Sequence, residues 1–277
     1  MPAAAPGVIT RTIHRFSPTG TQVITDQLAV EEPLEIAVLH RGRRHTVAIT
    51  MRTPGEDREL AIGFLFTEGL LPPDTDLGDG AQVQANTIVQ PFPDDLPFNL
   101  RGLDRHAYVS SSCGVCGKTS LDQVYRALPF PELPRHGTVP VEVLYALPDR
   151  LRARQLRFAS TGGIHAAGLF DGSGELLTVR EDVGRHNALD KLIGHHYLAN
   201  SLPLTEHILV LSGRASFELI QKAAMAGIRT VISVGAPSSL AVDLADDQGI
   251  TLCGFVRPGS LNAYTHAEGL QGVAAPP

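Results

Sequence analysis

The second half of the chain alternates short apolar runs with helical patterns, and this rhythm restricts the fold more than any other feature. Leu176 to Val179 follows the Asp171-Gly172-Ser173-Gly174 turn and reads as a strand. Glu181-Asp182-Val183-Gly184-Arg185-His186-Asn187 leads into a helix whose Leu189, Leu192, Ile193 and His196 recur at helical spacing. Strands are expected at His207–Leu211, Arg229–Val234 and Ile250–Val256, with helices at Ala215–Ala226 and Ser238–Asp246 between them. Buried strands alternating with helices define an α/β layer architecture. The breaks at Gly213-Arg214 and Gly235-Ala236-Pro237 fall at strand ends, where such sheets bind ligands.

The first region, to about Gln90, is built differently. Leu34, Ile36 and Val38 alternate with their neighbours and predict a half-buried strand. Arg41-Gly42-Arg43-Arg44 reads as an exposed turn before a second strand at Thr46–Met51. Pro54-Gly55-Glu56-Asp57 opens a helix with Leu60, Ala61, Phe64 and Leu65 on its apolar face, and Gly69 and Pro72-Pro73 close it. Within it, Gly63-Phe64-Leu65-Phe66-Thr67-Glu68-Gly69 reads as core packing. Pro91 to Arg105 is rich in proline and short polar segments and predicts a linker or irregular excursion.

Composition narrows the function. A net charge of -6 opposes broad capture of nucleic acid, and the absence of tryptophan removes extended base-stacking platforms. No apolar run approaches the ~18–20 residues of a spanning helix, so no membrane insertion is expected. The N-terminus lacks the basic-then-apolar pattern of a signal peptide. Three cysteines make no disulfide framework and fit a cytoplasmic protein with reduced thiols.

Two of those cysteines stand in Ser110-Ser111-Ser112-Cys113-Gly114-Val115-Cys116-Gly117-Lys118. The small polar flanks read as a loop, leading into a helix through Leu121, Val124 and Leu128. Two thiols two residues apart point to nucleophilic, redox or metal chemistry; a nearby cation such as Lys118 would favour the reactive thiolate. A structural zinc needs four ligands, and the chain has no second such pair. Histidines can complete a site in space, so a small zinc or redox protein stays open. Cys253 lies in an apolar run and reads as strand packing. His266-Ala267-Glu268 resembles part of a zinc-deaminase signature, but it follows the cysteine pair, and Ser112 stands where proline is expected.

Three arginine-bearing segments lie at strand exits. Asp182, Arg185, His186 and Asn187 form a polar group that serves either a ligand or helix capping; Arg185 suits an anion and His186 a proton near neutral pH. Ser212-Gly213-Arg214-Ala215-Ser216 can offer backbone amides and Arg214 to a phosphate, although it is no P-loop. Arg257-Pro258-Gly259-Ser260 is the third.

Taken together, Ser111–Gly117, Glu181–Lys191, Ser212-Gly213-Arg214, the Gly254–Gly259 region and Gly63–Gly69 resemble the formate dehydrogenase accessory sulfurtransferases, the FdhD family, over about Arg15 to Thr265. The resemblance implies a sulfur carrier between a cysteine desulfurase and the molybdenum or tungsten bis-guanylyl pterin cofactor, Mo-bis(molybdopterin guanine dinucleotide) or its tungsten analogue, of formate dehydrogenase. It implies that Cys113 bears a persulfide with Cys116 as its companion, and that no metal is permanently bound to the protein. Cofactor contact is implied at Phe255, Val256, Arg257, Pro258, Gly259 and Ser260; Arg214, Arg185 and His186 are candidates from their own chemistry. A homodimer and a cytidine-deaminase-like α/β core beside a smaller strand-rich N-terminal region are also implied. The division expected is 8–105 for the N-terminal α+β region and linker and 106–265 for the cofactor-handling domain, with parts of the first able to pack into the second. The competing reading is a noncatalytic, cofactor-binding assembly chaperone.

Overall fold

The computed structural model describes residues 7–77, 81–97, 128–130, 133 and 137–272. The described residues begin with a hairpin, β1 (Val8–Ser17) and β2 (Gly20–Ala29), which among the described residues form a two-stranded sheet of their own. Its side chains are largely exposed, Phe16 at 78 %. Then come β3 (Glu32–His40), β4 (Arg43–Arg52), α1 (Asp57–Thr67), β5 (Ala81–Gln84) and β6 (Thr87–Pro91), which build a four-stranded sheet in the order β4-β3-β6-β5 with α1 after β4. The expected Arg41–Arg44 turn is shorter than its arginines suggested. Only Arg41 and Gly42 turn, both at positive φ, while Arg43 and Arg44 pair with His40 and Leu39.

The rest comprises β7 (Val139–Pro140), α2 (Val141–Arg152), α3 (Leu156–Thr161), β8 (His165–Phe170), β9 (Leu176–Asp182), α4 (Arg185–Leu198), β10 (Ile208–Leu211), α5 (Phe217–Met225), β11 (Thr230–Ser233), α6 (Ser239–Asp247), β12 (Thr251–Arg257), β13 (Ser260–Thr265) and β14 (Leu270–Gln271). The six-stranded sheet runs β13-β12-β11-β10-β8-β9. β10, β11 and β12 are parallel neighbours; β8 and β13 run against them. This is a mixed α/β fold, as the alternating pattern required.

Period-two alternation sends the two faces of the sheet to different helices. Leu209, Leu211, Val231 and Leu252 join one apolar cluster with residues of α1, α4, α5 and α6 and of the four-stranded sheet, including Leu34, Ile36 and Val47. Ile208, Val210, Ile232, Cys253 and Val256 face the other way, against Leu144, Leu147 and Leu151 of α2. Cys253 is therefore strand packing, and burial pushes its thiol up to about 12. The proline-rich run after β6 is less loose than expected: Phe92 and Leu96 are buried and join the first cluster.

Two glycines set the distance between α1 and α4. A Cβ on Gly63 would lie 1.8 Å from the Asp190 carbonyl oxygen, and one on Gly194 1.9 Å from that of Glu59. The helices thus cross backbone to backbone, which explains the glycine that begins the Gly63–Gly69 segment.

Candidate functional site

The parallel run of β10, β11 and β12 brings their C-terminal ends to one edge of the sheet, and the following loops are stitched side by side. Gly235 N donates to Gly213 O (3.0 Å), Ser238 N to Ala215 O (3.0 Å) and Phe255 N to Gly235 O (3.2 Å). Ala215 also bridges Pro237, so α5 starts at Phe217 and not at the expected Ala215. The antiparallel β8 begins at this edge with His165, whose partner across the ladder is Asp182 at the end of β9. The starts of α4 and α5 lie here too; among the described residues neither has an N-cap side-chain hydrogen bond, and at α5 the Glu218 carboxylate accepts from its own backbone amide. At α6, Ser238 Oγ accepts from Ala241 N (3.3 Å).

The expected residues occupy this rim as follows. Arg185 is the first residue of α4, and its buried Nε has no hydrogen-bond partner among the described residues. His186 Nε2 is 3.3 Å from Ser216 Oγ and 3.8 Å from Glu218, and this hydrogen-bonding neighbour holds the Glu218 carboxyl down at about 2. Arg214 is exposed beside Gly235. Phe255 is 47 % exposed with φ +52°, a left-handed backbone that is costly for an aromatic residue and concentrates at functional positions. Val256 turns into the core against α2. Arg257, Pro258, Gly259 and Ser260 form the tight β12–β13 turn, with Gly259 at φ +76° and Arg257 Nε donating to Ser260 Oγ (2.8 Å). Cys113 and Cys116 lie outside the described residues, as does the expected helix through Leu121 and Val124.

Four polar residues of the Glu181–Lys191 stretch face inward instead. Asp182 pairs with Lys191 at 2.8 Å, both fully buried, and accepts from Thr53 N (3.1 Å) and Gly184 N (2.9 Å). Burial pushes the Asp182 carboxyl upward while Lys191 opposes it. Asn187 Nδ2 donates to Met51 O (2.7 Å), and Lys191 Nζ to Thr53 O (2.9 Å). Asp190 accepts from Lys222 (2.9 Å) and Thr67 (2.9 Å). These groups lock α4 to β4, α1 and α5. His266 and Glu268 form a local contact of 3.1 Å near Asp246, away from this rim.

Sequence reasoning passed over His165, which sits where β8 enters the rim. Its signal was present: Gly162-Gly163 precedes an apolar run beginning His165-Ala166-Ala167. The run lacks β-branched residues and so carried little strand character. Among the described residues no group of three or more histidine, cysteine, aspartate or glutamate side chains is placed to hold a metal ion. No described helix is long and apolar enough to cross a membrane.

Comparison with known proteins fits this chain to one family. The FdhD/NarQ family model matches residues 29–271, so the chain belongs to that family. It is 45% identical over 271 residues to the sulfur carrier protein FdhD of Nocardia farcinica, covering 96% of this chain and 95% of that protein. It is 47% identical over 269 residues to the sulfur carrier protein FdhD of Streptomyces coelicolor, covering 93% and 94%. A crystal structure from Desulfotalea psychrophila, described as a formate dehydrogenase accessory protein, superposes with a TM-score of 0.74 at 22% identity over 96% of this chain and 100% of that one. The last likeness is one of fold.

Proposed function

We propose that this protein is a sulfur carrier that serves formate dehydrogenase, taking sulfur from a cysteine desulfurase and delivering it to the molybdenum or tungsten bis-guanylyl cofactor. Membership of a family whose relatives are named sulfur carriers supports the reading. The structural observation that carries it is the rim. The start of α4 with Arg185, the exposed Arg214 and the Phe255–Ser260 turn gather where a ligand with phosphates and an aromatic base would be received. A strongly negative ligand needs such a local set of donors in a chain of net charge -6.

In this mechanism the Cys113 thiolate attacks the outer sulfur of the desulfurase persulfide. A sulfur–sulfur bond forms on Cys113, and the desulfurase cysteine leaves as its thiolate. The sulfur–sulfur bond on Cys113 then breaks toward the acceptor cofactor, which would take the outer sulfur and supply the electron pair that bonds it, so that Cys113 leaves as its thiolate. Cys116 resolves or relays by thiol exchange. The rim binds the acceptor: Arg185 and Arg214 meet phosphate oxygens, and the exposed Phe255 ring offers a face to guanine. The cofactor is cargo here, not a resident group. A cytoplasmic homodimer with a cytidine-deaminase-like core belongs to the same proposal.

The test loads the full chain with a cysteine desulfurase and isotopically labelled cysteine and maps adducts by non-reducing mass spectrometry. The expected result is one labelled sulfur on Cys113, lost when cofactor is supplied. Full supporting activity by Cys113→Ala, with cofactor still bound, would replace this reading with that of a noncatalytic assembly chaperone.

A further inference from the structure

The β1–β2 hairpin stands apart from the body of the protein. Among the described residues its strands pair only with each other, and none of its side chains joins either apolar cluster. A two-stranded ribbon left to itself is at best marginally stable in water. Its unbroken register puts Ile9, Ile13, Ile24 and Leu28 on one face and Phe16 and Val23 on the other. Ile13 and Ile24 are half-buried, and β2 runs beside α3. The second face is bare at its tip: Phe16 is 78 % and Val23 63 % exposed. A solvated strand face is polar, and an exposed apolar patch with a polar surround marks a contact with another protein.

Charge and position indicate which protein. The arm and the neighbouring α2–α3 corner, residues 8–29 and 149–158, hold six of the 23 lysines and arginines against two carboxylates, in a chain of net charge -6. Arg11, Arg15 and Arg154 are exposed and form no ion pair among the described residues, and Arg152 lies over the Phe158 ring at 3.5 Å. An apolar tip among unpaired arginines fits an apolar groove bordered by carboxylates.

The arm is rooted beside the rim. Val30 N donates to Gly7 O (2.8 Å), and a Cβ on Gly7 would lie 2.6 Å from Thr53 Cγ2 and 3.5 Å from Arg157 Nε. The same Thr53 donates its amide to Asp182 (3.1 Å) and accepts from Val183 N (3.2 Å), in the loop that opens α4 at Arg185. A protein that exchanges cargo with the rim approaches along this edge, whereas a desulfurase has to meet Cys113.

We propose that the β1–β2 arm is the docking element for cofactor-free formate dehydrogenase, seating Phe16 and Val23 in an apolar groove of that enzyme while the arginines meet carboxylates around it. The inference rests on the sulfur-carrier reading above and adds to it the surface that holds the client enzyme at the rim.

The test measures binding of purified, cofactor-free formate dehydrogenase to the full chain by biolayer interferometry, comparing wild type, Phe16→Thr/Val23→Thr and Arg15→Glu. Threonine keeps strand character while removing the apolar contact. Neither position belongs to a core cluster, so the thermal midpoint, the loading of Cys113 by the desulfurase and the affinity for GDP, a probe of the rim, should match wild type. Each variant should bind the dehydrogenase about tenfold or more weakly, and wild-type binding should weaken as salt is raised. Should the double variant melt early, Arg15→Glu, a single exposed charge, decides. Unchanged affinity overturns the inference and leaves the sulfur-carrier reading standing. So does a loss that falls instead on desulfurase binding, on self-association in analytical ultracentrifugation or on vesicles of anionic phospholipid. Wild-type protein that loads sulfur without binding the dehydrogenase overturns the inference alone; wild-type protein that does neither overturns both.

Discussion

The two sides of α4 teach opposite lessons from one stretch of sequence. Within seven residues of the helix start, Asn187, Asp190 and Lys191 turn inward and are saturated by β4, α1, α5 and Asp182. Arg185 faces the rim, and its buried Nε has no hydrogen-bond partner among the described residues. Polar density does not separate architecture from function here; saturation does. A buried ion pair supplied with all its hydrogen bonds holds layers together, whereas an incomplete one at a sheet edge awaits a ligand.

The comparison breaks most easily on the inward side. Lys191→Met leaves Asp182 buried without its cation and should cost about 3–5 kcal/mol in urea unfolding. A loss below about 1 kcal/mol would mean that the inward network is not architectural. Gly194→Ala drives a methyl into the Glu59 carbonyl and should cost about 2–3 kcal/mol by forcing α1 and α4 apart. An unchanged midpoint would show that this crossing has slack.

The rim should respond in the opposite way. Arg214→Ala is expected to shift stability by no more than about 0.5 kcal/mol. It should weaken GDP about tenfold in equilibrium dialysis. A variant that unfolds early while binding GDP normally would reverse the assignment of the two sides.

The smallest effect lies at the far end of the same helix. His196 bonds Thr178 Oγ1 (3.1 Å) and Ser201 Oγ (2.9 Å), and burial, followed by the charges of His195, His207 and Arg180, holds it at about 4. The unfolded chain then binds more protons than the folded one between 6.5 and 4. The contribution of His196 is whole above 6.5 and declines as pH falls toward 4. His196→Gln should flatten that decline in thermal unfolding, and an identical slope would remove His196 as its cause.

Much of the fold was legible because buried strands and amphipathic helices declare themselves by period. The strands ending at Leu211, Ser233 and Arg257, and the helices after the first two, fall close to where the apolar spacing put them. The β1–β2 hairpin was not legible: its strands are exposed and no buried face imposes a pattern on them. β8 was hidden by an Ala-Ala-Gly run. At the rim, the arginines were visible as residues, but their convergence depends on parallel strand neighbours and on loop hydrogen bonds between residues 20 or more positions apart.

The central claim is that the rim presents an acceptor to the sulfur on Cys113. The direct measurement is the discharge rate of protein already loaded with labelled sulfur, wild type against Arg185→Ala/Arg214→Ala, at subsaturating cofactor. The account predicts equal loading of Cys113 and a discharge at least about tenfold slower in the double variant. Equal discharge rates would contradict it.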